Sequence, residues 1–377
     1  MSNPQPMEGI ERLVIKLGTN LLTPNNRLDT DYIDVITGQI AELVRRKIQV
    51  LLVSSGAIGM GATELGLEER VSEIRMRQAC AAIGQPLLMY QYRKSFSVYG
   101  ITIAQVLITQ EVLSNRKSYL NLRNSVEQLL SLGVVPVFNE NDSISTDEIG
   151  TAFGDNDRLS AFVASKVDAD LLVLLSDIDS LYSGDPKQDP AAFRIPRVER
   201  VDNTILSYAG DEGSEFSTGG MKTKLKAAGI AADAGCRMVL AHGRVPRILP
   251  RILAGEDVGT LFEARPKLSN RTRWILHSVP KGRIVVDSGA MEALKKHKSL
   301  LPSGILRVEG VFKRGDVVSI NDEAKAVPAF NSSEIEHLMG KHSSEVAVLY
   351  GKERREEIAR PEDIVFTAID ESPTPKG

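Results

Sequence analysis

Val134-Val135-Pro136-Val137-Phe138-Asn139-Glu140-Asn141-Asp142 starts as an unbroken apolar run and ends in four consecutive amides and carboxylates. Twelve residues further on a second polar burst follows, Asp155-Asn156-Asp157, behind Phe153-Gly154. Such groups are costly to bury without partners, and a turn needs far fewer of them. Two polar clusters joined by a loop suit a pocket at the carboxyl end of a strand, where open α/β sheets bind ligands. A long solvated loop rich in turn formers is the plainer account of the same residues.

Residues 10–16, 50–53, 101–108, 134–138, 170–175 and 237–240 are short apolar runs that read as strands. Between them lie segments of helical period. In residues 31–47 the apolar positions are Ile33, Ile36, Ile40, Leu43 and Val44, with Asp29 or Thr30 as cap. Residues 72–95, 116–132, 157–166 and 225–234 also read as helices, the first kinked or broken at Pro86. Met76, Met89, Tyr90 and Phe96 are expected in the core. Strands apolar on both faces, alternating with helices, predict an α/β fold with a mostly parallel sheet sandwiched by helices.

Residues 183–196, rich in Pro, Asp and Gly, read as a surface excursion. Near residue 270 the character changes. Residues 271–280 read as a linker, and from 282 to 367 the runs are short and β-like: 283–286, 305–308, 317–320, 346–350 and 364–367. Helices are expected at 291–296 and 334–339. The expected division is a first domain over 9–270 and a small, β-barrel-like domain over 281–370.

Bulk properties narrow the classes. The 377 residues are 42% apolar and 25% charged, with a net charge of −3, so no global basic field points to nucleic acid or an anionic membrane. The two cysteines, Cys80 and Cys236, sit far apart in small apolar surroundings and read as buried thiols. No apolar run approaches the ~20 residues needed to span a bilayer, and the start of the chain lacks a signal-peptide core. A cytoplasmic location is expected.

Several strand ends carry polar or glycine-rich groups: Lys16-Leu17-Gly18-Thr19, Ser54-Ser55-Gly56, Asn139 to Asp142, and Ser176-Asp177. In a parallel sheet they open on one edge. The loop Ser217-Thr218-Gly219-Gly220-Met221-Lys222-Thr223-Lys224 runs into the alanine-rich helix, and glycines at a helix start can cradle a phosphate. Backbone donors, separated lysines and carboxylates together suit phosphoryl transfer, where a protein mainly positions reactants and neutralises developing charge. No metal-ligand cluster and no Ser-His-Asp set appears, and all five histidines lie after residue 240, away from these motifs. A carboxylate acceptor, already ionised at neutral pH, needs no general base.

These motifs, together with Phe153-Gly154-Asp155-Asn156-Asp157, resemble the amino-acid kinase family, and their order and spacing resemble its glutamate-phosphorylating members. The tail segments Val286-Asp287-Ser288-Gly289-Ala290, Ser299 to Gly304 and Phe312-Lys313-Arg314-Gly315-Asp316 resemble a PUA domain. The resemblance implies ATP-dependent phosphorylation of the γ-carboxylate of L-glutamate, the first step of proline synthesis. It implies Lys16 and Lys224 flanking the migrating phosphoryl group, with Asp157 holding both ammoniums. Gly18 and Gly56 would lend backbone donors. Ser55, Gly56, Asp142 and Asn156 would bind glutamate, with Asp142 taking its α-ammonium and Asp155 lying beside the set. Lys16, Gly18, Ser176, Asp177, Thr218, Gly219, Gly220, Met221, Lys222, Thr223 and Lys224 would contact the nucleotide. Mg²⁺ would come with ATP, without a dedicated protein cage.

The partners implied are ATP, glutamate, proline as feedback inhibitor, the reductase that consumes glutamyl phosphate, and further copies of the chain. Ser54 and Ser176 stand where the family often has threonine. The loop 143–153 is longer than its usual pattern, and Asp179-Ser180 departs on the nucleotide side. Rival readings are a kinase of acetylglutamate, aspartate, carbamate or UMP, and an RNA-binding protein acting through its tail. Residues 281–370 hold 14 lysines and arginines against 15 aspartates and glutamates, which gives RNA no electrostatic footprint.

Overall fold

A computed structural model of the chain describes residues 7–24, 27–67, 71–109, 112, 116–144, 156–186, 188–209, 220–350 and 355–367. It divides into two units, Met1–Lys267 and Leu268–Gly377.

The strands of the first unit are β1 (Arg12–Leu17), β2 (Gln49–Ser54), β3 (Ile103–Ile108), β4 (Val135–Glu140), β5 (Leu171–Ser176), β6 (Leu181–Tyr182), β7 (Arg194–Ile195), β8 (Arg197–Val198), β9 (Arg237–His242) and β10 (Thr260–Phe262). Eight of them form one sheet in the order β3-β4-β2-β1-β5-β9-β10-β8. Every pairing in it is parallel except β9 with β10. The segment read as a surface excursion folds back on itself as the small β6–β7 hairpin.

The helices are α1 (Thr19–Leu22), α2 (Thr30–Arg45), α3 (Ala57–Glu64), α4 (Ile74–Ser97), α5 (Arg116–Ser131), α6 (Asn156–Lys166), α7 (Asn203–Ser207), α8 (Gly220–Asp233) and α9 (Ile248–Leu253). The expected cap of α2 is Asp29, whose carboxylate accepts from the Tyr32 backbone N–H at 2.9 Å. Alternation along β1 sorts its side chains between two cores. Leu13, Ile15 and Leu17 pack with residues of α2 and α4 on one face. Val14 packs with α6 and α8 on the other. Lys16 shares the face of Val14, so its stem lies under α6 and α8.

Of the kink or break expected at Pro86, the break does not occur: helix α4 runs through it. Tertiary packing overrides the local preference. Gly61 of α3 and Gly84 of α4 let the two helices touch backbone to backbone: a Cβ on Gly61 would lie 1.9 Å from the Cys80 carbonyl oxygen, and one on Gly84 1.8 Å from that of Ala57. Two of the residues expected in the core of this segment are not there. Met76 and Tyr90 are exposed on the outer side of α4, while Phe96 is fully buried.

The second unit has its own five-stranded sheet, formed by β11 (Arg283–Val286), β12 (Ile305–Glu309), β13 (Val318–Ile320), β14 (Ala324–Ala326) and β15 (Ile364–Phe366) in the order β12-β11-β13-β14-β15. Its helices are α10 (Asn270–His277), α11 (Ser288–Lys295), α12 (Ser332–Leu338) and α13 (Ser343–Tyr350). The stretch read as a linker is therefore helix α10. Its Ile275 is buried with Val317 and Val327 of this unit, and Lys325 donates to the carbonyls of Leu276 and Ser278 at its end. Residues 346–350, read as a strand from Val346, Val348 and Leu349, belong to α13. Glu345 accepts from the His342 backbone N–H at 2.9 Å, half of a capping box that starts a helix against the β-branched preference. No helix among the described residues is long and apolar enough to cross a membrane.

Candidate active site

The parallel register brings the carboxyl ends of the strands level. Leu17 lies beside Ser54 on one side and Leu175 on the other. Along this edge the strands and the helices that follow them present the residues singled out in the sequence.

Asp157 sits in the first turn of α6 and is fully buried. Lys16 reaches its Oδ1 at 2.5 Å and Lys224 its Oδ2 at 2.9 Å. Both lysines are nearly buried too. Burial alone would push the Asp157 carboxyl up, but the two ammoniums outweigh that and hold it well below the usual carboxylate range. Residues from three distant parts of the chain thus form one ion triad. Helix α8 begins at Gly220, earlier than the expected start at 225. Lys224 consequently lies in its second turn, and its side chain leans back to donate to the Gly220 carbonyl at 3.2 Å, the direction helical side chains take. Thr223 also faces the triad, its hydroxyl 3.4 Å from Asp157 Oδ2.

Beside the triad the backbone comes close. The Gly18 N–H donates to the Leu175 carbonyl at 3.0 Å, and a Cβ on Gly18 would stand 3.9 Å from the Lys16 ammonium. Gly56 starts α3 with φ +98°, a conformation that side chains strongly disfavour. Ser54 is turned away from the edge. Its hydroxyl bonds that of Tyr92 at 2.8 Å.

On the β2–β4 side, one amide gathers the motif. Asn156 Nδ2 donates to the Ser54 carbonyl at 2.8 Å and to Ser55 Oγ and Asn139 Oδ1, both at 2.9 Å. Asn139 Nδ2 in turn donates to Gln85 Oε1 at 2.8 Å. Asp142 lies just beyond β4, partly buried, and makes no ion pair with any described residue. Burial pushes its carboxyl above the ordinary value, with the positive charge of Arg77 pulling the other way.

On the β5 side, Asp177 accepts from Asn20 at 2.7 Å and from Ser176 at 2.9 Å. Burial raises its carboxyl and these donors, with help from Lys224, bring it below normal. Two expectations need correction here. Met221 is a core residue of α8, so its side chain cannot contact a nucleotide. His242 ends β9 in register with Ser176, so this edge does hold a histidine. Its Nδ1 accepts from the Arg244 backbone N–H at 3.1 Å. Asp155, Thr218, Gly219 and most of the 143–153 loop lie outside the described residues. Gln85 was missed by the sequence reading. Its signal was a glutamine among the small and apolar residues of a helix, next to a glycine.

Glycine backbone and a buried, charge-paired lysine couple on the carboxyl edge of a parallel sheet define a small-molecule kinase. Residues 11–242 match the model of the amino acid kinase family, and residues 282–350 that of the PUA domain. Glutamate 5-kinase of Methanosarcina barkeri is 44% identical over 371 residues, 95% of this chain and 97% of the relative. That of Methanococcoides burtonii is 44% identical, covering 97% and 99%. The crystal structure of UMP kinase from Bacillus anthracis superposes with a TM-score of 0.47 at 17% identity, over 69% of this chain and 98% of that one. The chain belongs to the amino acid kinase family and, within it, to the glutamate 5-kinases.

Proposed function

We propose that this chain transfers the γ-phosphoryl group of ATP in line to the γ-carboxylate of L-glutamate, giving γ-glutamyl phosphate and opening proline synthesis. The observation that carries this reading is the buried triad Lys16–Asp157–Lys224, two cations fixed at one edge by a single carboxylate. Phosphoryl transfer spreads negative charge over the migrating group, and preorganised cations there act mainly on the transition state. Lys16 serves the ATP side and Lys224 the acceptor side, while Gly56 lends its N–H; that of Gly18, expected as a second donor, is taken up by the Leu175 carbonyl. Asp142 takes the α-ammonium of glutamate, together with Ser55 and Asn156. The nucleotide lies against Ser176, Asp177 and the start of α8, where Gly220, Lys222 and Thr223 meet it, with Thr218 and Gly219 completing the loop.

Magnesium fits as a companion of ATP rather than as a protein-bound ion. Both oxygens of Asp157 and both of Asp177 already accept from neighbouring side chains. When bound, the metal neutralises phosphate charge; the protein's share is to hold the acceptor and supply the lysines. Proline as feedback inhibitor, hand-over of the unstable acyl phosphate to its reductase, and self-assembly belong to the same reading. ADP release measured over a panel of acceptors tests it. Glutamate is expected to be turned over far better than acetylglutamate, aspartate, carbamate or UMP; a preference for any of these would refute the assignment.

A further inference from the structure

β1 and β5 are neighbours in the sheet, and Leu17 pairs with Leu175 at their carboxyl ends. Each strand runs on into a polar group. Asn20 lies in α1, two residues past Gly18, and Asp177 directly follows β5. The two side chains meet. Asn20 Nδ2 donates to Asp177 Oδ2 at 2.7 Å, a bond between residues 157 positions apart. Ser176 Oγ donates to the other oxygen, Oδ1, at 2.9 Å. A carboxylate only accepts, so the amide of Asn20 must turn its amino group toward Asp177. Burial alone would raise the Asp177 carboxyl. The donors Asn20 and Ser176 outweigh that, so the group stays ionised at neutral pH.

The two bonds are not equivalent. Ser176 is the adjacent residue, so its hydroxyl fixes Oδ1 against the same stretch of backbone and leaves the carboxylate free to pivot about that oxygen. Asn20 reaches Oδ2 from a different element, and a carboxylate held at both oxygens has one orientation. We infer that Asn20 is a positioning residue for nucleotide binding, which fixes the angle at which Asp177 presents its remaining lone pairs. A carboxylate repels phosphate and accepts from hydroxyl or amino groups, so Asp177 suits the nucleoside part of the nucleotide. Such directional contacts weaken steeply when the acceptor turns away. The inference rests on the proposed nucleotide site at Ser176, Asp177 and the start of α8.

Calorimetric titration with ADP tests this and needs no turnover. Asn20→Ala is expected to weaken ADP binding roughly three- to tenfold, the scale of one hydrogen bond, with the KM for glutamate within about twofold of wild type. Asp177→Ala should weaken ADP binding at least as much. Adding Asn20→Ala to the Asp177→Ala chain should then change the affinity by less than about twofold, since residues that act through one another are not additive. Asn20→Leu, close in size and without a donor, takes the place of the alanine variant if that chain does not fold. A tie between α1 and the end of β5 that served stability alone would lower the urea midpoint and leave ADP affinity unmoved. Unchanged ADP affinity in a folded Asn20 variant, or a loss as large in the Asp177→Ala background as in wild type, overturns the positioning role. Failure of the wild-type chain to bind ADP, or an Asp177→Ala chain that binds it as wild type does, would instead overturn the nucleotide site on which the inference rests.

Discussion

Asp157 is the residue on which two positive charges depend. Lys224→Met is expected to lower kcat by roughly 10²–10³, the scale of one preorganised donor, with a smaller change in KM. A solvated lysine would give near-normal turnover, so steady-state kinetics decides between the two. Asp157→Asn removes the shared counter-charge and leaves both ammoniums in place. The folded-state carboxyl of Asp157 is depressed, so its contribution to stability is present above the unfolded aspartate value of about 3.9. That contribution is lost as pH falls through the lower folded value. Urea unfolding should show a wild-type advantage over Asp157→Asn that is constant from about pH 5 to 8 and shrinks only below about pH 4. An advantage that disappears near neutral pH would mean that the carboxylate is not held ionised by its partners.

Elements were legible where a pattern of period 2 or 3.6 extended over enough residues. The strands β1, β2, β4 and β5 and the helix α2 lie within a few residues of where apolar spacing puts them. Elsewhere a contact distant in sequence overrode local preference. Pro86 sits inside α4 because the crossing with α3 holds the helix together, and nothing near Pro86 in the chain announces Gly61. The same crossing gives a prediction. Gly84→Ala would place a methyl 1.8 Å from the Ala57 carbonyl oxygen, and backbone there has little room to yield. The cost should be at least about 1–3 kcal/mol, the usual scale of overpacking, measured by chemical unfolding. Since Ala57 follows Gly56, any soluble Gly84→Ala protein should also bind glutamate more weakly. Of the site itself, the glycines, lysines and carboxylates could be read as motifs. The hydrogen bond between Asn139 and Gln85 could not, because 54 positions separate the two and only the fold joins them. His242 was set aside for its place late in the chain, yet a parallel strand carried it back to the edge.

At the scale of the molecule, each unit encloses its own apolar core: two clusters within residues 13–262 and two within 275–359. The proposed catalytic groups all belong to the first. A chain ending at Lys267 is therefore expected to fold and to phosphorylate glutamate at a rate within about tenfold of the full chain, as domains with their own cores usually fold alone. Ending instead near Trp274 would cut α10 in half and leave an unpaired amphipathic fragment. A folded, soluble 1–267 chain without turnover would show that the tail completes the site. The central place of β1 has a further consequence, one of timing. One of its edges pairs with β2, made soon after it, while the other waits for β5, about 150 residues downstream. At synthesis rates of about 5–20 residues per second, that second edge stays open for roughly 8–30 s. An apolar strand with free backbone groups is a template for wrong partners. The lysine that this reading sets beside the migrating phosphoryl group thus rides on the segment of the nascent chain most in need of protection while it waits.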